Sequence, residues 1–266
     1  TLRGRPVVLG YYFSSLVNAE KSGALPPPVF APGSFQGRPV QVVPWKGFGG
    51  NLKPLQEAAA SAGHFNPLVD FDGNSRRVPM IVEHDGAYFE SLSLAVVRTL
   101  LGHAKLQPGY PDKEGGMEWL EVLAADRTIK IPVDDSVAAL IPYRGHERSF
   151  PYISAVDVLK GRVDPALLAG RIVLVGTTAP GLMDLRSTPV GATYPGVEVH
   201  ANLIAGILDG KIKEKPGYIM GVEVLQLFLL GGLLALLLPL LSPIRASLLT
   251  ALVLVLAVAL NLSLWS

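Results

Sequence analysis

The sequence contains no cysteine, so neither a disulfide bond nor a thiol nucleophile contributes to its fold or chemistry. It also lacks an excess of charge of either sign, since 23 lysines and arginines stand against 22 aspartates and glutamates, a net charge of +1. Nucleic-acid binders usually carry a strongly basic surface. We therefore expect no nucleic-acid partner.

The motifs of common catalytic sites are missing as well. No Gly-x-Ser-x-Gly, no His-Glu-x-x-His and no Walker loop occurs in the sequence. Residues 176–181 (GTTAPG) resemble a dinucleotide fingerprint only weakly, because the middle glycine is absent and Pro180 falls where a helix should begin. We therefore predict no catalytic residue, no cofactor and no metal site in this chain.

Long apolar runs are abundant. Hydrophobic residues make up 49% of the chain, and the mean hydropathy of +0.37 is high for a soluble protein. Two runs, 221–241 and 246–265, are each about twenty residues long, the length that crosses a bilayer. We predict two transmembrane helices within residues 220–266, joined as a hairpin, preceded by a linker over 211–219, with membrane lipid as a partner.

The preceding residues, 1–210, alternate strand-like and helix-like patterns. Residues 172–175 (IVLV) predict a strand buried on both faces, as in a parallel sheet, and residues 7–9 (VVL) predict a central strand. A turn at 72–74 (DGN) between two apolar runs adds a hairpin. The sequence therefore predicts an α/β fold with a layered mixed, mostly parallel sheet and flanking helices.

A helix is predicted from about Val197 to Gly210. Pro195 suits its first turn, Glu198 complements the positive end of its dipole, and Gly210 ends it. The helical period places Glu198 and Asn202 on one face, and it places His200 on the opposite, inward face.

These positions supply the candidate site residues. Asp184 follows the predicted strand, where ligands bind in open α/β sheets, although it could equally brace its own turn. We predict His200 to be a core histidine, with a ligand-binding or metal-binding role as the alternative. The candidate ligand-binding residues are thus Asp184, Glu198 and Asn202, and the candidate structural residues are His200, Gly176, Gly181, Pro195 and Gly196.

Two runs carry a family resemblance, IVLVGTTAPGLMDLRSTP (172–189) and YPGVEVHAN (194–202), preceded by SAVDVL (154–159) and VDP (163–165). Together they resemble the second type of CHASE domain, an extracellular sensory module found ahead of nucleotide cyclases and signalling kinases in bacteria. The resemblance covers most of the chain and implies a membrane segment before residue 1. It also implies an output module after residue 266, a class III adenylate or guanylate cyclase or, alternatively, a histidine or serine/threonine kinase.

The resemblance further implies a bacterial inner-membrane protein whose folded domain is periplasmic. Arg245, between the two spans, then lies inside, whereas Lys211, Lys213 and Lys215 lie on the side that the positive-inside rule disfavours. We expect an unidentified small-molecule or envelope ligand, and a homodimer formed through the sensor and the membrane helices. A different class also fits, namely a stand-alone membrane-anchored hydrolase or binding protein.

Overall fold

The computed structural model describes residues 2–16, 20–112, 114–178, 184–214 and 219–265. The chain divides into two compact units, residues 1–214 and 215–266. The first unit contains all the described strands, and the second contains the two long apolar helices. The exact limits of the predicted sensory domain, linker and membrane segment stay predictions.

The described strands of the first unit are short and form several small sheets. They are β1 (Val8–Ser14), β2 (Lys21–Ser22), β3 (Val43–Trp45), β4 (Gly47–Gly49), β5 (Ser61–His64), β6 (Arg77–Pro79), β7 (Ile81–His84), β8 (Ala87–Glu90), β9 (Lys105–Gly109), β10 (Trp119–Leu123), β11 (Thr128–Pro132), β12 (Ala138–Leu140), β13 (Leu185–Thr188) and β14 (Gly191–Pro195). The helices between them are α1 (Lys53–Gln56), α2 (Leu92–Leu100), α3 (Ala155–Leu159) and α4 (Gly196–Leu208).

The mixed α/β class is confirmed, but the expected predominance of parallel strands is wrong. Of the nine strand pairings among the described residues, six are antiparallel and three are parallel. Strands joined by short loops pair antiparallel, because a parallel pair needs a long crossover connection. This is the case for the β9-β10-β11 meander and for the β13-β14 hairpin.

Strand β1 lies inside its sheet, as predicted for a central strand. The order in this sheet is β2-β4-β1-β5. Residues Val8 to Tyr11 pair in parallel with β5, and Tyr12 to Ser14 pair with β4 on the other side. Within the described part of the chain, the first half of β1 therefore has a strand partner on one edge only.

The predicted buried strand at residues 172–175 is wrong. The segment has no assigned strand, and the exposed fractions of Ile172, Val173 and Val175 are 41%, 53% and 89%. Only Leu174 packs against the core. The apolar, β-branched composition is that of a buried strand, but in this structure no described strand pairs with the segment.

Helices α2 and α4 agree with their sequence signals. The hydroxyl oxygen of Ser91 accepts a 3.3 Å hydrogen bond from the amide of Leu94 at the start of α2. Pro195 is the N-cap of α4, and Gly210, just past its end, has a φ of +64°. Both helices contribute to the main core, where Leu94 and Leu203 are fully buried.

The second unit contains α5 (Ile219–Leu237) and α6 (Pro243–Trp265), separated by a 3-10 turn over Leu238–Leu240. Both helices are long and apolar enough to cross a membrane. The predicted pair of apolar helices is therefore confirmed, and it could form a transmembrane hairpin. Three polar side chains of α6 donate hydrogen bonds to the carbonyl four residues earlier in the helix: Ser247, Thr250 and Asn261.

Candidate functional site

A groove of about 940 Å³ lies in the first unit, beside the start of β1. Its walls come from β1, from α2, from residues 171–177 and from the first turn of α4, and they are mostly aliphatic. Asp184, Arg186 and His200 add polar groups to this lining. An apolar groove with a few polar groups is the usual form of a small-molecule binding site.

Asp184 connects this groove to α4. Its carboxylate accepts a hydrogen bond from the amide of Val197 and lies 3.8 Å from the guanidinium of Arg186. Its backbone oxygen accepts a 2.8 Å bond from the amide of Gly196. Burial raises the pKa of the carboxyl, and Arg186 and the Val197 amide oppose that rise. Asp184 is therefore both a brace for the helix start and a polar group available in the groove.

Two glycines permit close packing at the same place. A Cβ added to Gly196 would lie 2.3 Å from Oδ1 of Asp184, and one added to Gly176 would lie 2.6 Å from Cβ of Val197. Neither distance is sterically possible, so any larger residue would push the groove wall and the helix start apart. Gly181, the third predicted glycine, lies outside the described residues.

Glu198 is held by the protein itself. Its side chain, 2% exposed, accepts hydrogen bonds from the amides of Arg148 (2.9 Å) and Ser149 (2.8 Å) and from the hydroxyl of Tyr152 (2.5 Å). Burial, together with this bond, raises the pKa of the Tyr152 hydroxyl. The carboxylate therefore ties residues 148–152 to the first turn of α4.

Asn202, one turn further on, is fully buried and also internally bonded. Its amide nitrogen donates to the hydroxyl of Tyr194 and to the carbonyl of Glu198, both at 2.8 Å. Its oxygen accepts from the amide of Arg144 at 2.9 Å. Helix α4 thus buries this face as well as the face of His200, because residues 144–152 cover it. The predicted ligand contacts of Glu198 and Asn202 stay predictions, and neither residue lines the groove.

His200 lies between the groove and the core. Its Nδ1 is 2.8 Å from the hydroxyl of Ser93 in α2, and the residue is 6% exposed. Burial lowers the pKa of His200 to about 4, although a hydrogen bond with the backbone of Phe65 acts in the opposite direction. The imidazole is therefore neutral at physiological pH.

The sequence patterns did not indicate a second set of buried polar residues, which includes His64. His64 in β5 is 0% exposed, and within the described part of the chain neither of its ring nitrogens has a hydrogen-bond partner. Burial lowers its pKa to about 3. Ser91 forms a β-bridge with His64, and its neighbour Glu90, 6% exposed, pairs with Arg98 at 2.6 Å. A histidine after Ser-Ala-Gly carries no sequence signal of such burial.

These geometries favour binding over bond-breaking chemistry. The groove presents mostly aliphatic surface with polar groups of Asp184, Arg186 and His200, and the hydroxyl of Ser93 that bonds His200 is fully buried. Whatever occupies the groove would contact the first turn of α4 directly, through Gly196 and Val197.

Comparison with known protein families finds a match to the CHASE2 domain over residues 4–240. The matched range includes nearly all of the first unit and the whole of α5. No curated protein and no solved structure matches the chain.

Proposed function

The chain belongs to the CHASE2 family of extracellular sensory domains of signalling proteins, and we propose that it passes an external signal through the membrane to a cytoplasmic adenylate or guanylate cyclase. The observation that supports this proposal most directly is the position of the groove against the start of α4. That helix runs from the groove to Leu208, and α5 begins at Ile219, with ten residues between the two helices. A ligand in the groove thus has a short covalent route to the first apolar helix.

We place the ligand, a small molecule or envelope component, beside Asp184. The carboxylate offers charge and hydrogen-bond acceptors in an otherwise aliphatic groove, which is how such sites orient a ligand. The protein is proposed to sit in the bacterial inner membrane with the first unit in the periplasm, and to act as a homodimer.

Two alternatives to a cyclase output are kept. A histidine or serine/threonine kinase could replace the cyclase, and a stand-alone membrane-anchored hydrolase or binding protein would need no output module. The coding sequence after residue 266 separates these possibilities: a cyclase or kinase domain would follow there in a signalling protein, and neither would follow in a stand-alone one. Formation of cyclic nucleotide from ATP or GTP by the full-length protein in membranes then tests the first choice, and a kinase domain in that place would replace it.

Membrane topology can be tested by cysteine labelling, which is clean because the chain has no native cysteine. Phe71→Cys places a thiol at a fully exposed position of the first unit, and Ser242→Cys places one between the two apolar helices. We expect an impermeant maleimide to label Phe71→Cys in cells with a permeabilised outer membrane, and to leave Ser242→Cys unlabelled until the inner membrane is opened.

Val78→Cys is the matched control, because Val78 is 0% exposed and its thiol should react only after denaturation. Labelling of Ser242→Cys with protection of Phe71→Cys would place the first unit in the cytoplasm, and the proposal would be wrong.

Signal transfer through the linker can be tested by a flexible insertion. Gly-Gly-Ser-Gly placed after Gly210 should leave the first unit folded but remove the change in cyclase activity that periplasmic extract causes in the parent protein. Coupling energies of about 1 to 3 kcal/mol, or roughly 5-fold to 150-fold, are lost when a stiff connection becomes slack. The same insertion after Gly73, at an exposed turn with a φ of +82°, is the control and should preserve the response. A parent-like response in the first variant would mean that the signal takes another route.

A further inference from the structure

Residues 171–176 are chemically unsuited to the position that they occupy. The run Ile172 to Val175 is entirely apolar, yet three of its four side chains are exposed to solvent, Val175 to 89%. Between Ile172 and Thr178, no hydrogen bond from a backbone group to any other described residue is present. Apolar side chains and free peptide groups together are the features of a strand without its sheet.

An open strand edge belongs to the lining of the same groove. Val8 to Tyr11 of β1 pair with β5 on one side, and on the other side β4 pairs with β1 only from Tyr12 onward. Residues 6–10 and residues 171–177 both line this groove. The unpaired edge and the unpaired strand-like segment therefore lie within reach of each other.

We propose that residues 171–176 are a closing strand, which pairs with the open edge of β1 and fills the groove in a second state of the domain. In that closed state the peptide groups of both segments are paired, and Ile172, Val173 and Val175 lose solvent exposure. The structure described above is the open state, with the groove available.

The ends of the segment allow this movement. Gly170 has a φ of +69°, a left-handed conformation from which glycine can change readily, and it precedes the run. Gly176 at the other end packs so tightly on Val197 that no Cβ fits between them. Movement of the closing strand therefore displaces the first turn of α4.

The closing strand regulates access to the proposed binding site, and its link to signalling rests on the proposed function. A ligand in the groove would exclude the closing strand and hold the domain open. Closure itself is a property of the first unit alone, so a test that detects strand pairing can succeed even if the proposed cyclase output is wrong.

A disulfide trap tests the closure directly in the full chain. Neighbouring strands lie about 4.8 Å apart, within the Cα separation that a disulfide bridges. We expect Val8→Cys/Leu174→Cys to form an intramolecular disulfide under mild oxidation. The control Ser61→Cys/Leu174→Cys should not form one, because Ser61 pairs with Val8 from the far side of β1 and would lie about 10 Å from the closing strand. Equal cross-linking of the two pairs would overturn the proposal, since it would report random encounters.

Hydrogen exchange of the trapped variant gives the second readout. In the oxidised Val8→Cys/Leu174→Cys protein, the amides of residues 172–175 should exchange about tenfold or more slowly than in the reduced protein, because strand pairing protects them. The amides of α2 serve as an internal reference and confirm that the domain is folded. Absence of a disulfide in a folded protein, or a disulfide without added protection, would show that the segment does not pair with β1.

Discussion

Acidification should unfold the first unit between about pH 6 and pH 4, as seen by loss of the near-ultraviolet circular dichroism of the full chain in detergent. The cause is the pair of buried neutral histidines. Burial lowers the pKa of His64 to about 3 and that of His200 to about 4, whereas both have the ordinary value of 6.5 once unfolded. Below about pH 6.5 the two histidines therefore bind protons in the unfolded chain but not in the folded chain.

Proton linkage gives the direction and the size of this loss of stability. The free energy of unfolding decreases as the pH is lowered wherever the unfolded state binds more protons, by about 1.4 kcal/mol per pH unit for each histidine. Between pH 6.5 and about pH 4.5, the two histidines together lower the free energy of unfolding by about 5 kcal/mol. This is comparable to the whole stability of many domains. Burial raises the pKa of Glu90, and also that of Asp184, so these carboxyls take up protons in the folded state and offset part of the loss.

His64→Leu isolates the effect. It replaces an imidazole whose nitrogens have no hydrogen-bond partner among the described residues with an apolar side chain of similar size, so stability at neutral pH should change little. The acid transition should move down by roughly half a pH unit or more, because one of the two proton uptakes disappears. An acid transition at the parent pH in this variant would show that the buried histidines do not control it.

Arg98→Met should lower the free energy of unfolding by about 3 to 5 kcal/mol at neutral pH, measured by urea denaturation. The Arg98 guanidinium binds Glu90 at 2.6 Å and also donates to the carbonyl of Ala104 at 2.8 Å. The side chains of Glu90 and Arg98 are 6% and 20% exposed, so removing the arginine leaves a buried charge without compensation. The loss should shrink at low pH, where Glu90 is protonated.

Glu90→Leu/Arg98→Met is the matched control. Replacing both members of a buried ion pair with apolar groups often changes stability little. The free energy of unfolding of the double variant should therefore lie within about 1 to 2 kcal/mol of the parent value, a difference that includes the hydrogen bond lost by the Ala104 carbonyl. If the double variant is as unstable as Arg98→Met, the cost arises from lost packing of the long side chain rather than from the charge of Glu90.

Local signals in the sequence mark the ends of helices well, because caps act through the nearest few residues. Pro195 and Gly210 mark the ends of the predicted helix α4, and Ser91 caps α2 in the same way. Residues 51–63 carry similar helix signals, but the helix ends at Gln56, because residues 61–64 pair with β1 instead. The strand prediction for residues 172–175 was wrong because composition does not show whether a segment pairs with a neighbouring strand.

The candidate site could be predicted only in part. The helical period places Glu198 and Asn202 correctly on one face of α4, but it does not show that residues 144–152, some fifty positions earlier in the chain, cover that face and supply the hydrogen-bond partners. The groove likewise combines β1, α2 and α4 with the segment at 171–177. Such encounters depend on the path of the whole chain, which no local pattern records.

The polar residues of α6 bear on how membrane-embedded copies could associate. Ser247, Thr250 and Asn261 each donate to a carbonyl one turn earlier in their own helix, at 3.0, 3.0 and 2.8 Å. The hydroxyl protons of Ser247 and Thr250 are used in this way, whereas the amide of Asn261 has a second N–H and an oxygen beyond the one bond described. In lipid, such a group gains from a donor or acceptor on a neighbouring helix. If copies of the chain associate through α6, a contact between their Asn261 side chains would fix the register of the two helices.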